Sequence, residues 1–69
     1  SVSKQSVSSL RMQANQMYEM TGNILFKQIG QAIEGQSLNM DMLKQAFQVA
    51  NAQNNEQAKT LIENILNAG

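Results

Sequence analysis

The sequence predicts an all-α fold, a small bundle of three or four helices. Three observations carry that expectation. Pro is absent and Gly occurs only four times in 69 residues, so little in the chain breaks a helix. Apolar residues recur at the three- and four-residue spacing of a single helix face. The β-branched residues are scattered and never alternate with polar ones over the length of a strand.

The first helix is expected over about 5–21, with Ser3 and Ser6 as candidate N-caps. Its apolar stripe is Val7, Leu10, Ala14, Met17 and Tyr18. The stripe continues in register through Leu25, Ile29 and Ala32. That would suit one helix from about Ser6 to about Glu34, on the order of 43 Å long at 1.5 Å per residue. Thr21-Gly22-Asn23 interrupts the stripe with helix-stop and then helix-start chemistry. A break at Gly22 is the expected outcome, because each later helix is about half that length and would leave one end of a long helix unsupported. The second helix then covers about 23–34. Gly30 lies inside it with no strand before it, so a nucleotide-binding glycine loop is excluded and a close helix–helix contact is expected.

Glu34-Gly35-Gln36-Ser37 is the clearest turn. Gly35 suits a left-handed helix end and Ser37 suits the cap of the next helix. The third helix is expected over about 38–51. Its apolar residues span an arc of roughly 200° at about 100° per residue, wider than a surface helix of a small bundle needs. This helix is expected to be sandwiched between others or to touch a second molecule. Asn51 to Asn55 reads as the last connection, and Asn54 with Gln57 three residues later resembles a capping box. The fourth helix, about 54–67, carries Ala58, Leu61, Ile62, Ile65 and Leu66 on one face, with Gly69 suited to its end. The expected core is Leu10, Met17, Leu25, Ile29, Leu43, Phe47, Leu61, Ile62, Ile65 and Leu66.

Residues 1–69 make one domain by size. A start at Ser1 rather than Met fits a processed product or an excised part of a longer protein. A domain this small buries only about 60% of its unfolded surface, so disulfides, a metal or a partner chain usually support it. The sequence has no Cys and no His, which removes disulfides, thiolate sites and the commonest transition-metal ligand. Association remains, and the bundle is expected to be dimeric or part of a larger assembly. No cofactor or metal is expected. The net charge is +0 and only 14% of residues are charged, against an ordinary share of about 25%. Ten Gln and eight Asn supply much of the polar surface instead. Such a surface repels neighbours weakly. Its longest apolar run, Ile24-Leu25-Phe26, is far short of the roughly 20 residues that span a bilayer, and no signal peptide is visible.

Catalysis is not expected. Without His or Cys, and with no Ser in a nucleophile motif, acid–base and covalent chemistry lack their usual groups. Glu19, Glu34, Asp41, Glu56 and Glu63 read as solvated helix-surface acids. Asp41 and Glu56 also suit the positive ends of the last two helices. The acids are too dispersed for a calcium loop.

Two binding functions fit the sequence. The favoured one is a protein-interaction or oligomerisation module, expected as a small component of a bacterial or phage assembly and binding protein, itself first of all. Its partner-binding residues would be Met12, Met20, Phe26, Ile33, Met40, Met42 and Val49. Met12 and Met20 stand off the main N-terminal stripe, Phe26 and Ile33 project on the side of Met12, and Met-rich surfaces adapt to partners. The alternative is a helix-turn-helix regulator that reads DNA with Asn55, Gln57, Lys59, Thr60 and Asn64. Asn and Gln read adenine in the major groove. Against it, Lys59 lies between Glu56 and Glu63, and no basic patch is present to neutralise phosphate. No motif in the chain supports assigning it to a family.

Overall fold

A computed structural model describes residues 6–68. Four helices and one short hairpin follow in chain order: α1 (Val7–Thr21), α2 (Ile24–Gln31), β1 (Ile33–Glu34), β2 (Ser37–Leu38), α3 (Met40–Ala52) and α4 (Glu56–Ala68). The domain measures 31 × 25 × 23 Å. The predicted cap at Ser3, the helix start at residue 5 and the terminus at Gly69 lie outside the described residues.

The chain does break at Gly22. Ser6 opens α1, its hydroxyl accepting from the Ser9 N–H at 3.1 Å. Gly22 closes it in the left-handed region at φ 69°, its N–H donating to the Tyr18 carbonyl. A Cβ there would meet nothing within 4 Å, so it is the backbone conformation that calls for Gly. The Thr21 hydroxyl donates to the Met17 carbonyl and accepts from the Asn23 N–H. Asn23 then caps α2, its side-chain oxygen accepting from the Leu25 N–H at 3.1 Å. Its amide donates to Gln53 at the far end of α3 at 3.0 Å. The corner is thus fastened within itself and to a second part of the chain.

From that corner α2 returns along α1. Gly30 and Ala14 lie equally far in sequence on either side of Gly22, and a Cβ built on Gly30 would stand 3.7 Å from the Ala14 Cβ and 2.8 Å from the Asn15 side-chain oxygen. This is the close approach expected of Gly30.

The second helix ends at Gln31, three residues before its predicted end. Residues 33–38 form a hairpin where the sequence predicts only a turn between two helices. Ile33 pairs with Leu38 and Glu34 with Ser37. Gly35 and Gln36 make the two-residue loop, with positive φ at Gly35 alone. That is the sign pattern of a type II′ turn, which matches strand twist and favours Gly first. Gly35 therefore serves a strand turn and not a helix end. Ser37 sits in β2 and caps nothing. The cap of α3 is Asn39, whose side chain accepts from the Met42 N–H and whose own N–H closes the hairpin on Ala32.

The last connection is tighter than a loop. The Asn55 N–H reaches the Ala50 carbonyl at 2.8 Å and the Asn54 N–H the Asn51 carbonyl at 3.1 Å. This is a Schellman ending with Asn54 in the left-handed position, φ 54°, a conformation Asn tolerates better than most residues. Asn55, not Asn54, caps α4 through the Ala58 N–H. One residue ends the α3 motif and begins the next helix, so α4 folds straight back on α3.

The core holds Leu10, Leu25, Ile29, Leu43, Leu61, Ile62 and Ile65 as expected, together with Val7, Phe26, Ile33 and the alanines 14, 32, 46, 50 and 58. Met17 and Phe47 are half-buried against it. Leu66 is not core; it is 41% exposed. It projects roughly 90° from the centre of the buried face of α4, at about 100° per residue.

Four variants test this packing. Gly22→Ala should lower the unfolding free energy by about 1–2 kcal/mol and Gly22→Asn by less, since Asn enters the left-handed region more readily. Urea denaturation reads both; equal stability of all three proteins would contradict the corner as described. Phe26→Ala should cost about 3–5 kcal/mol as a core truncation. The same change at exposed Met20 should cost under about 0.5 kcal/mol.

Candidate functional site

The surface residues with binding potential fall into separate places. Met40 stands at the N-terminal end of α3, 47% exposed. It shares a groove of about 480 Å³ with Leu43 and Phe47 of its own helix and with Ile62 and Leu66 of α4. Lys44 and Gln48 edge the α3 side, and Glu63 edges the α4 side. The groove exists because α4 doubles back on α3 at Asn55. The start of α3 therefore lies beside the end of α4, and the middle of each helix beside the other. Leu43 and Ile62 form its closed floor, each about 1% exposed. Phe47 is half-buried, and Met40 and Leu66 stand at its mouth.

Met42 and Val49, placed by sequence with Met40, line a different notch between α2 and α3. Gln28, Gln31, Gln45 and Ala46 complete it. Met42 is half-buried against the core. Met12 and Met20 stay exposed on α1. Phe26 and Ile33 are corrected outright. They are 1% and 3% exposed, so the predicted patch of Met12, Phe26 and Ile33 does not exist on the surface. The shared side was inferred from a helix running on through residue 33. The reversal at Gly22 turns Phe26 inward, and Ile33 belongs to β1, where the helical period no longer applies.

Sequence reasoning missed Leu43, Phe47, Ile62 and Leu66 as groove residues because it assigned all four to the core. A signal was present in the width of the stripes. Ile62 and Leu66 form an edge row on α4, and Met40, Leu43 and Phe47 form one on α3 at helical spacing. Two wide stripes joined by a short connection leave apolar edges along their seam.

The residues proposed for DNA reading are not brought onto one face. Asn55 spends its side chain on the α4 cap. Gln57, Thr60 and Asn64 line a notch beside Gln13 and Met17 of α1, with Glu56 as its charged member. Lys59 points the other way. Its ammonium meets Glu56 and Asn51, both at 3.3 Å, and lies 6.0 Å from the centre of the Phe47 ring. The amides thus sit without a cation, and the cation is held on the side of α3.

Among the described residues no three acidic side chains gather as a metal site requires, and no helix is long and apolar enough to cross a membrane. Asp41 and Glu56 occupy the first turns of α3 and α4, where the helix dipole favours them. Compared with models of protein families, with curated proteins and with solved structures, the chain matches none of them.

The role assigned to Asn55 has a direct check. Asn55→Ala should lower stability by about 1 kcal/mol through loss of the cap, read by thermal and urea denaturation. Gln57→Ala, an exposed position with no bond to a cap, should change it by less than about 0.5 kcal/mol.

Proposed function

We propose that this chain is a non-enzymatic interaction module, and that the α3–α4 groove receives an apolar helical face of another protein. The observation that carries this reading is the groove itself, an apolar trough on the outside of the domain, with Met40 and Leu66 projecting at its mouth. Apolar surface left open in this way favours an occupant, because covering it removes it from water. The shape also suits a helix. A trough between two packed helices is where a third helix lays an i, i+3, i+4 face. Met40 at one edge gives an adaptable contact.

Other features support the same reading. The chain has no His or Cys, the groups most used for acid–base and nucleophilic work near neutral pH. Its low charge and amide-rich surface suit a place among protein neighbours in an assembly. The scattering of the basic side chains and the withdrawal of Lys59 toward Glu56 weigh against nucleic acid as the partner, since phosphate binding needs clustered cations.

The test uses an apolar probe in place of the partner. Indole at millimolar concentration should shift the NMR signals of Leu43, Phe47, Ile62 and Leu66 and leave those of α1 unmoved. Leu66→Asp should abolish the shifts while the far-UV circular dichroism stays that of the parent, because Leu66 is exposed. No shift at the groove in the parent protein, at a concentration dilute enough for it to be monomeric, would remove this reading.

A further inference from the structure

Resting on the groove as a docking surface, we propose that its occupant is a second copy of this chain, held in a two-fold dimer by reciprocal Lys44–Glu63 pairs. Two opposite charges stand on the rim of the groove. Lys44 edges the α3 wall and Glu63 the α4 wall. Both are exposed, and neither makes an ion pair among the described residues, where Lys59–Glu56 supplies the pairing. One cation and one anion therefore face outward from opposite sides of one apolar trough.

That arrangement is self-complementary. In a two-fold interface the same patch meets itself, so that residue i touches residue j of the other copy and j touches i. Laid groove on groove, α3 of one copy covers α4 of the other, and both Lys44–Glu63 contacts join opposite charges. Between them Met40 and Leu66 of each copy enter the seam left open in the other. The result is a four-helix layer with α3 and α4 of each chain at its centre, closed to further addition because the axis uses both grooves. A partner of uniform charge would meet repulsion at one rim.

Size sets the strength. Two adjacent helices of 13 residues, each about 20 Å long and about 10 Å across, give a footprint of roughly 400 Å² in projection. A standard interface takes about 800 Å² from each partner. At about half that from each copy, the contact falls below the standard range and belongs with weak, transient interfaces, so the dimer exchanges with monomer as concentration changes.

The experiment is sedimentation equilibrium or light scattering over a range from about 10 μM to 1 mM, on the parent chain and three exposed-site variants. The parent should move reversibly from 7.6 kDa to twice that mass. Lys44→Glu and Glu63→Lys should each weaken association by about tenfold or more, since each turns two attractive contacts into repulsive ones. The double variant K44E/E63K should return to within about threefold of the parent. An equimolar mixture of the two single variants should also recover, as a heterodimer in which both facing pairs are again opposite in sign. Recovery in the mixture distinguishes the two-fold arrangement from a general loss of solubility or fold. A parent that stays monomeric to 1 mM, or single variants that associate as the parent does, overturns the dimer. Groove shifts with indole would then leave the docking reading intact, and their absence would remove both.

Discussion

The return of α2 along α1 is the constraint on which the remaining packing depends. It needs two things at once. The backbone must reverse over Thr21 to Asn23, which Gly22 permits at φ 69°, and the two helices must then lie close, which Gly30 permits against Ala14. With both in place, Leu25, Phe26 and Ile29 enter the same interior as Leu10 and Ala14. That interior is the surface against which α3 and α4 pack. A continuous helix over the same residues would have carried Phe26 outward and divided the core in two.

The asparagines look different once the connections are known. Counted in the sequence, they read as uncharged surface. In the structure Asn23, Asn39 and Asn55 cap α2, α3 and α4, and Asn54 supplies the left-handed residue at the end of α3. Four of the eight Asn thus set where helices stop and start. A chain without Pro, and with Gly at only two of its turns, needs another residue for this work. Asn serves because its short side chain can accept a backbone N–H and tolerates positive φ. The low charge of the surface is in part a consequence of capping, and only the remainder bears on how the molecule meets its neighbours.

Five buried alanines explain why an apolar groove is left on the outside. Ala14, Ala46, Ala50 and Ala58 lie within helices, and Ala32 follows α2. Small residues at helix contacts bring the axes together. Large residues beside them are then turned to the edges of each contact. Phe47 and Leu66 show the effect. Both belong to apolar stripes, yet neither is enclosed: Phe47 is half-buried and Leu66 41% exposed, while Ala46, Ala50 and Ala58 are buried. Stripe membership was legible in the sequence, but the depth of each member within the stripe depended on which small residues met across the seam.

The sequence by itself determined the helical class, the cap at Ser6, the close contact at Gly30 and seven of the large core residues, because each rests on local geometry or on a periodicity that a single helix displays; at Gly22 it favoured a break over one continuous helix, and the tertiary structure decided between them. Tertiary structure alone decided the orientation of Phe26, the hairpin at Ile33 to Leu38 and the split between core and groove along α3 and α4. The physical reason is the same in each case. A helical period says which residues share a face, but what that face meets depends on how the next element is aimed, and the aim is set by a few backbone angles at Gly22, Gly35 and Asn54. The hairpin had a local sign in the Gly35-Gln36 pair between Ile33 and Leu38, but a strand of two residues is too short to show a period of its own. It is held by its pairing across the turn and by Ala32 and Asn39 at its base.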